Sequence, residues 1–346
     1  SMKCHNDELK KLKDHVQSVT KALRGDSDSC VKSDDGSVVS ILGREFPQWS
    51  SDDAPEEVKN YSISAWRSQI QTGRKGEKLK YDAADFADSL LNDRVTRLVG
   101  PPGVGKTSIV QQLAHIIGVS AKVIQFHRDK PVEQLIGTDK IVDGKQVWVD
   151  GEITSALREA SNHEDPAIIV LDEFDHASAE IQSMCHPAAE GRDFDPGCGE
   201  LISVGDNVRF VITANTSGHG DSSGRHAAAM ASDTAFNSRV CATYHVDYMD
   251  KDSEVGVVVS HGLEPDEATQ LIEFANATRA SVRSTDSGES FDGMYEPVCL
   301  RHLISYASMR NRGVDKTKAF AASILGSLPS RDRSVANELA YNHMTF

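Results

Sequence analysis

The residues with the clearest chemical potential form a glycine-rich run that ends in a lysine and a threonine. Residues 100–107 read Gly-Pro-Pro-Gly-Val-Gly-Lys-Thr, which fits the pattern G-x-x-x-x-G-K-[ST]. Glycines let the main chain wrap phosphate groups with its N–H groups, Lys106 reaches the β- and γ-phosphates, and the Thr107 hydroxyl binds Mg²⁺. The residues predicted to hold ATP are Gly100, Pro101, Pro102, Gly103, Val104, Gly105, Lys106, Thr107 and Ser108.

Two adjacent carboxylates follow a second apolar run. Residues 167–173 read Ala-Ile-Ile-Val-Leu-Asp-Glu, a buried strand that ends in Asp172 and Glu173. In an open α/β sheet, ligands bind beyond the carboxyl ends of the strands. We therefore predict that Asp172 joins Thr107 in holding Mg²⁺. We predict that Glu173 deprotonates the attacking water as a general base.

Three further polar residues stand at positions that favour a catalytic role. Asn215 ends the run Phe210–Asn215 and is predicted to hold the lytic water or contact the γ-phosphate, although asparagine is also an ordinary turn residue. Arg239 and Arg301 are candidates for stabilising transition-state charge, as arginine fingers do in other phosphoryl-transfer enzymes. Most arginines are solvated surface groups, so spacing alone leaves that alternative open for both.

The elements that must position these residues alternate between strand and helix. Short apolar runs at 95–99, 121–126, 167–171 and 209–213 read as buried strands, and 108–117 carries a helical stripe that Gly118 can end. This alternation predicts an α/β fold with a doubly wound parallel sheet of the P-loop NTPase type. Helical spacing without strand signals follows residue 247. We predict an N-terminal arm or small module at 1–60, a nucleotide-binding core at 61–247 and an all-α lid at 248–346.

The charge and composition of the chain disfavour some classes of binding partner. The chain has 346 residues and a formal net charge of −15, which disfavours a broad basic surface for nucleic acid because phosphate neutralisation supplies most of that affinity. A local basic pore in a ring remains open. No stretch approaches 18 consecutive apolar residues, so we expect a cytoplasmic protein without membrane contact. Six scattered cysteines, none in a Cys-x-x-Cys pair, favour isolated thiols over disulfides or a zinc site.

The order of these motifs resembles AAA+ ATPases of the MoxR branch, and most closely the CobS group, the ATPase subunits of aerobic cobaltochelatase. One stretch, 133–157, is similar to the helix-2 insert of that branch, a small β-hairpin. A second, the Gly-rich and Asp-containing loop at 214–224, is similar to the loop after the sensor strand in CobS. The third is the segment around Arg239. The resemblance covers roughly residues 81–303.

The resemblance implies roles and partners that the residues alone do not. It places Arg239 at the arginine finger and Arg301 at the second sensor of the lid, acting on its own or a neighbour's ATP. It implies a homo-oligomer, a hexameric ring with ATP between subunits, and a partner protein with a von Willebrand A-type domain, CobT-like in a chelatase. Trp148, in the insert, would contact substrate in the pore or pack within the hairpin.

These inferences favour an ATP-hydrolysing ring motor that remodels or activates a partner protein, with cobalt chelation as one specific role. Two alternatives stay open at this level. One is a nucleic-acid motor, because helicase rings share the insert and the finger, although the acidic charge disfavours it. The other is a nucleotide-gated binding scaffold with little turnover.

Overall fold

A computed structural model describes residues 30–33, 36–51, 53–56, 70–72, 79–127, 129–215, 234–286 and 293–345. The chain forms two compact units. The first lies within Ser27–Pro101 and Gly105–Asp247, and the second within Tyr248–Phe346 together with the loop residues Pro102–Val104. The division predicted from the sequence stays a prediction. The strands between residues 30 and 47 form a separate three-stranded sheet that groups with the first unit.

The first unit contains the strands. In chain order they are β1 (Cys30–Lys32), β2 (Val38–Ile41), β3 (Arg44–Pro47), β4 (Ile70–Thr72), β5 (Leu79–Lys80), β6 (Val95–Val99), β7 (Ser120–Gln125), β8 (Gly137–Val142), β9 (Lys145–Asp150), β10 (Ala167–Asp172), β11 (Val208–Ala214) and β12 (Ala242–Val246).

A seven-stranded sheet in the order β5-β4-β12-β6-β11-β10-β7 forms the centre of this unit. The strands from β12 to β7 are mutually parallel, as the α/β prediction requires. The hairpin β4–β5 adds antiparallel pairing at the β12 edge, so the sheet is mixed rather than wholly parallel. β6 and the last five residues of β11 are buried, because both faces of a parallel sheet are covered.

The helices with described bounds in the first unit are α1 (Ala83–Asn92), α2 (Lys106–Ile117), α3 (Val132–Leu135), α4 (Glu152–Ser161), α5 (Ala179–Ala189) and α6 (Thr234–Asn237), with a 3₁₀ turn at Phe174–His176. The predicted helix at 108–117 begins two residues earlier, at Lys106, and ends where Gly118 adopts φ 80° and donates its N–H to Ala114 and His115. Such a left-handed glycine ends helices without steric cost. α2 is thus fixed between two glycines.

The core of this unit joins the sheet to α4 and α5. Ile169 and Leu171 of β10 and Ile212 of β11 belong to the same buried cluster as Leu157 and Ile181 of these helices. Burial of such side chains contributes about 1.5–3 kcal/mol each. The apolar packing fixes the strand ends that carry the polar residues.

The predicted insert is a separate two-stranded sheet, β8–β9, with Thr138 opposite Val149 and Lys140 opposite Val147. Trp148 is half-buried, donates its indole N–H to Asp150 (2.8 Å), and covers Gly137, where a Cβ would meet its ring. The structure therefore favours the packed-hairpin interpretation of Trp148. Val142, Val147 and Val149 share one exposed face, because side chains two apart or directly opposite point the same way.

The second unit is helical in its described residues. It contains α7 (Lys251–Ser260), α8 (Pro265–Asp286), α9 (Leu300–Asn311), α10 (Lys316–Ser323) and α11 (Arg333–His343), with a 3₁₀ turn at Leu325–Ser327. Its own core includes the fully buried Phe274 and Tyr306. None of the helices in the described ranges of either unit is both long and apolar enough to cross a bilayer.

Candidate functional site

The glycine-rich run forms a loop between β6 and α2, as predicted. Gly103 and Gly105 adopt φ 74° and 89°, a left-handed region that side chains rarely enter. At Gly100 a Cβ would overlap the carbonyl oxygen of Val246. Pro101, Pro102 and the buried Val104 complete the loop, and Ser108 is the third residue of α2. The glycines are therefore required by the backbone path itself.

The amino end of α2 has no side-chain cap, since its N-cap residue is Gly105. The first N–H groups of a helix have no partner within the helix and carry the positive end of its dipole. An anion at this position would satisfy them. The loop geometry is thus that of an anion site.

Lys106 is the buried cation of this site, with 8% of its surface exposed. Its Nζ donates to the carbonyl oxygens of Gly100 (2.8 Å) and Pro101 (3.0 Å) and to Oδ1 of Asn215 (3.0 Å). Burial lowers the pKa of Lys106 to about 8, although Asp172, Asp175 and Glu173 act to raise it. A buried ammonium held mainly by neutral oxygens gains from a nearby anion.

Thr107 and Asp172 meet directly. The Thr107 hydroxyl donates to Oδ1 of Asp172, and the Thr213 hydroxyl, from β11, donates to the same oxygen at 2.6 Å. Thr213 also accepts the backbone N–H of Glu173 at 2.9 Å. One buried threonine therefore positions both carboxylate residues at the end of β10.

Glu173 has an unusual backbone conformation. It lies at φ 57° and ψ 41°, directly after β10. For a residue that is not glycine this left-handed conformation costs roughly 1–2 kcal/mol, and such strain persists mainly at functional sites. The bend turns the chain sharply at the strand end, into the 3₁₀ turn at Phe174–His176.

Asn215 follows β11 and joins the same group. Besides accepting from Lys106, it donates its backbone N–H to Oδ2 of Asp175 at 3.0 Å. The neighbouring parallel strands β6, β11 and β10 thus bring Lys106, Thr107, Asp172, Glu173 and Asn215 to one edge of the sheet. This is the arrangement that the sequence predicts.

The two arginines lie in different units. Arg239 follows α6 and pairs with Oε1 of Glu190 at 2.5 Å, with 20% of its side chain exposed. Arg301 is the second residue of α9 in the helical unit, and its side chain is exposed. Their roles in ATP chemistry remain predictions. The glycine-rich loop at 216–224, which carried part of the family resemblance, lies outside the described residues.

Three buried polar residues of this region were missed by the sequence reasoning: Thr213, Asp175 and Arg97. They are 0%, 1% and 4% exposed, respectively. Arg97 is the central residue of the wholly buried strand β6. A charge inside an apolar strand needs a buried partner, so the position of Arg97 was a signal that the sequence already contained. The contacts of Thr213 depend on the order of the strands in the sheet, which the sequence does not show.

The site fits a nucleotide and a magnesium ion by its donor set. The uncapped helix end and the buried Lys106 suit phosphate oxygens. A carboxylate and a hydroxyl oxygen in contact, Asp172 and Thr107, are the hard ligands that Mg²⁺ takes alongside substrate phosphates. Described residues contain no cluster of three or more His, Cys, Asp or Glu suited to a metal. Each of the five cysteines within the described ranges is a free thiol.

Comparisons with known proteins agree with this geometry. Residues 96–229 match the AAA domain of the dynein-related subfamily, and residues 254–340 match the CbbQ/NirQ/NorQ C-terminal family. Protein NorQ of Paracoccus denitrificans is 27% identical over 250 residues, which cover 71% of this chain and 84% of NorQ.

Two further relatives match shorter regions. The denitrification regulatory protein NirQ of Stutzerimonas stutzeri is 30% identical over 118 residues, 34% of this chain and 41% of NirQ. The mouse von Willebrand factor A domain-containing protein 8 is 26% identical over 185 residues, 48% of this chain and 9% of that protein.

These matches bear on the family resemblance in part. They establish the AAA type, while the closer likeness to the cobaltochelatase ATPase stays a prediction. The chain carries an AAA domain of the dynein-related subfamily followed by a CbbQ/NirQ/NorQ C-terminal region, and it is a homologue of NorQ and NirQ.

Proposed function

We propose that this chain hydrolyses ATP and uses the cycle to remodel or activate a partner protein. The observation that carries the proposal is the meeting of Lys106, Thr107, Asp172, Glu173 and Asn215 at one sheet edge. A switch that only binds nucleotide has no need for the second carboxylate, whereas hydrolysis needs a base. The strained Glu173 backbone supports that role.

In this proposal each residue has one task. Lys106 and the loop N–H groups hold the phosphates, while Thr107 and Asp172 hold Mg²⁺, which supplies charge neutralisation at the phosphate oxygens. Glu173 takes the proton of the attacking water. Asn215 orients that water or the terminal phosphate. Its amide oxygen accepts a hydrogen bond from the Lys106 ammonium, so Asn215 lies beside the group that is proposed to bind the phosphates.

Removal of the Lys106 ammonium tests the phosphate site. Lys106→Ala should lose ATP binding and turnover, because the buried cation is the charge that offsets the phosphates. Lys122→Ala is the matched control, since Lys122 is exposed and pairs with Glu159 on the same unit. Fluorescent-nucleotide titration and phosphate release measure both. Unchanged ATP affinity in Lys106→Ala would place the nucleotide elsewhere.

We further propose a homo-oligomeric ring, a hexamer, in which Arg239 acts on the ATP of a neighbouring subunit. In one subunit Arg239 is held by Glu190, so insertion into a neighbour's site would exchange that carboxylate for phosphate oxygens. Arg301, exposed at the start of α9, would contact the γ-phosphate of its own or a neighbour's ATP.

Mixing two inactive variants tests the finger in trans. Arg239→Ala should bind ATP but not hydrolyse it, and Lys106→Ala should keep its finger without binding ATP. A mixture should recover turnover at interfaces where an intact site meets an intact finger. As a control, Glu190→Ala takes the place of Arg239→Ala in the mixture. This variant breaks the ion pair of Arg239 but keeps the arginine itself. Absence of recovery at every mixing ratio would argue for action in cis.

The partner is proposed from the relatives. NirQ is named a regulatory protein, which favours control of another protein over a metabolic reaction of the chain itself. In mouse, a homologous region and a von Willebrand factor A domain occur in one polypeptide. We therefore propose a partner with such a domain. Cobalt chelation is a narrower version of this role that rests on the CobS resemblance alone.

A further inference from the structure

Arg97 is a charge in the centre of the first unit's sheet. It occupies the middle of β6, where all five residues are buried, and it is 4% exposed. Burying a guanidinium is costly unless it is paired. An aliphatic residue would pack there without that cost, so the contacts of Arg97 indicate what it contributes.

One of these contacts reaches the segment that carries Arg239. Nη2 of Arg97 donates to Oδ1 of Asn237 at 2.6 Å, and Asn237 is the last residue of α6, two positions before Arg239. The Arg239 N–H donates to the carbonyl of Phe236, which is fully buried and whose ring lies 5.0 Å from that of Phe174. Arg97 thus anchors the arginine segment to the core.

A second buried charge, the carboxylate of Asp175, acts electrostatically on Arg97. Asp175 is 1% exposed and accepts the backbone N–H of Asn215 through Oδ2, while Oδ1 has no hydrogen-bond partner among the described residues. Burial lowers the pKa of Arg97, and Asp175 opposes that shift. The same carboxylate acts on Lys106. Asp175 is therefore hydrogen-bonded to Asn215 of the phosphate site and acts electrostatically on both Lys106 and Arg97.

We propose that Asp175 and Arg97 are positioning residues that couple the ATP site of a subunit to the arginine it presents to its neighbour. This rests on the proposed function, in which Arg239 acts in trans. The path runs from Asn215 through Asp175, Arg97 and Asn237 to Arg239. In this proposal Arg239 moves between two positions, the observed pairing with Glu190 and an extension to the neighbour's ATP. A two-state element of this kind can transmit a small shift.

Mixed assemblies isolate this coupling. Acceptor subunits carry Arg239→Ala, so their sites are intact but they supply no finger. Donor subunits carry Glu173→Gln, so they bind ATP and supply a finger but contribute no turnover. All phosphate release then comes from acceptor sites next to a donor finger. A defect placed in the donor can lower that release only through the finger.

Arg97→Met in the donor should lower the release by about 5-fold or more, the lower end of typical coupling between sites. The donor's own ATP affinity should stay unchanged, which a purely structural defect in the sheet would not allow. Asn237→Ala removes the same hydrogen bond from outside the strand and should give the same loss if Arg97→Met fails to fold. Asp175→Asn, which keeps an acceptor for Asn215 but loses the charge, should also reduce release.

Arg209→Met is the matched control. Arg209 is a partly buried arginine of the neighbouring strand β11 that donates to the Leu91 carbonyl at 2.7 Å, and its loss should leave donor activity unchanged. If phosphate release stays at the level of the unmodified donor with both Arg97→Met and Asn237→Ala donors, the proposed coupling is wrong but the finger in trans still holds. No release with the unmodified donor contradicts the finger in trans and overturns the coupling with it.

Discussion

At the scale of single residues, Glu173 combines a proposed chemical role with a backbone conformation that its side chain disfavours. Glu173 lies between a strand and a 3₁₀ turn and has a φ of 57°. Its backbone N–H donates a hydrogen bond to the Thr213 hydroxyl. The fold therefore imposes the conformation from outside. Backbone strain of this kind clusters at functional sites, which fits the proposed role of Glu173.

Glu173→Asn should separate these two contributions. Asparagine tolerates the left-handed region, so the free energy of unfolding should stay equal or rise by up to about 1 kcal/mol, part of the usual left-handed penalty. Turnover should be lost because the shorter amide cannot act as a base. Thermal unfolding and phosphate release measure both. A marked drop in unfolding temperature would show that the glutamate side chain stabilises the turn.

At the same scale, the sequence identified groups that pattern rules can locate. Lys106, Thr107, Asp172 and Glu173 follow from the loop motif and from a strand that ends in carboxylates. Thr213 could not be assigned, because its contact with Asp172 requires that β10 and β11 be neighbours. Pairing of Arg239 with Glu190 depends on how α5 and α6 pack, which no local pattern encodes.

At the scale of elements, the hairpin β8–β9 is the most exposed apolar feature of the described first unit. Ile141 is 81% exposed, and Val142, Val147 and Val149 are also exposed on a face shared with Lys140 and Lys145. Exposed apolar groups gathered in one place mark contact surfaces more often than scattered ones. We expect this hairpin to touch the protein on which the ATPase acts.

A double substitution, Val147→Ser with Val149→Ser, should weaken partner binding without affecting basal turnover. Exposed side chains contribute little to folding, usually within about 0.5 kcal/mol, so stability should be unchanged. The amount of partner retained on immobilised Glu173→Gln protein, which holds ATP without release, measures the effect. Leu201→Ser, at another exposed apolar residue of the same unit, is the control. Equal retention of partner by the parent, the double variant and the Leu201→Ser control would exclude the hairpin as the contact surface.

Elements were predictable where burial is continuous and periodic. The strands β6, β7, β10 and β11 and the helix α2 occur within a few residues of their expected positions. The antiparallel hairpin β4–β5 was missed, because its strands are only three and two residues long. Strands this short are fixed by pairing with β12 rather than by their own sequence pattern.

At the scale of the whole molecule, the proposed action of Arg239 in trans requires more than one copy of the chain. The first unit contains Lys106, Thr107, the carboxylates and Arg239, and the second contains Arg301 together with the loop residues Pro102–Val104. A net charge of −15 favours a protein partner over duplex nucleic acid. ATPase stimulation by DNA with a steep salt dependence would favour the nucleic-acid alternative instead.

The central claim is that Glu173 activates the water that cleaves ATP held by Lys106, and a single-turnover measurement on Glu173→Gln tests it most directly. Enzyme in excess over γ-labelled ATP and Mg²⁺ is quenched over time, with binding measured in parallel. The account predicts that Glu173→Gln binds ATP like the parent yet leaves it uncleaved, while the exposed control Glu180→Gln behaves like the parent. Cleavage by Glu173→Gln at the parent rate would contradict the account.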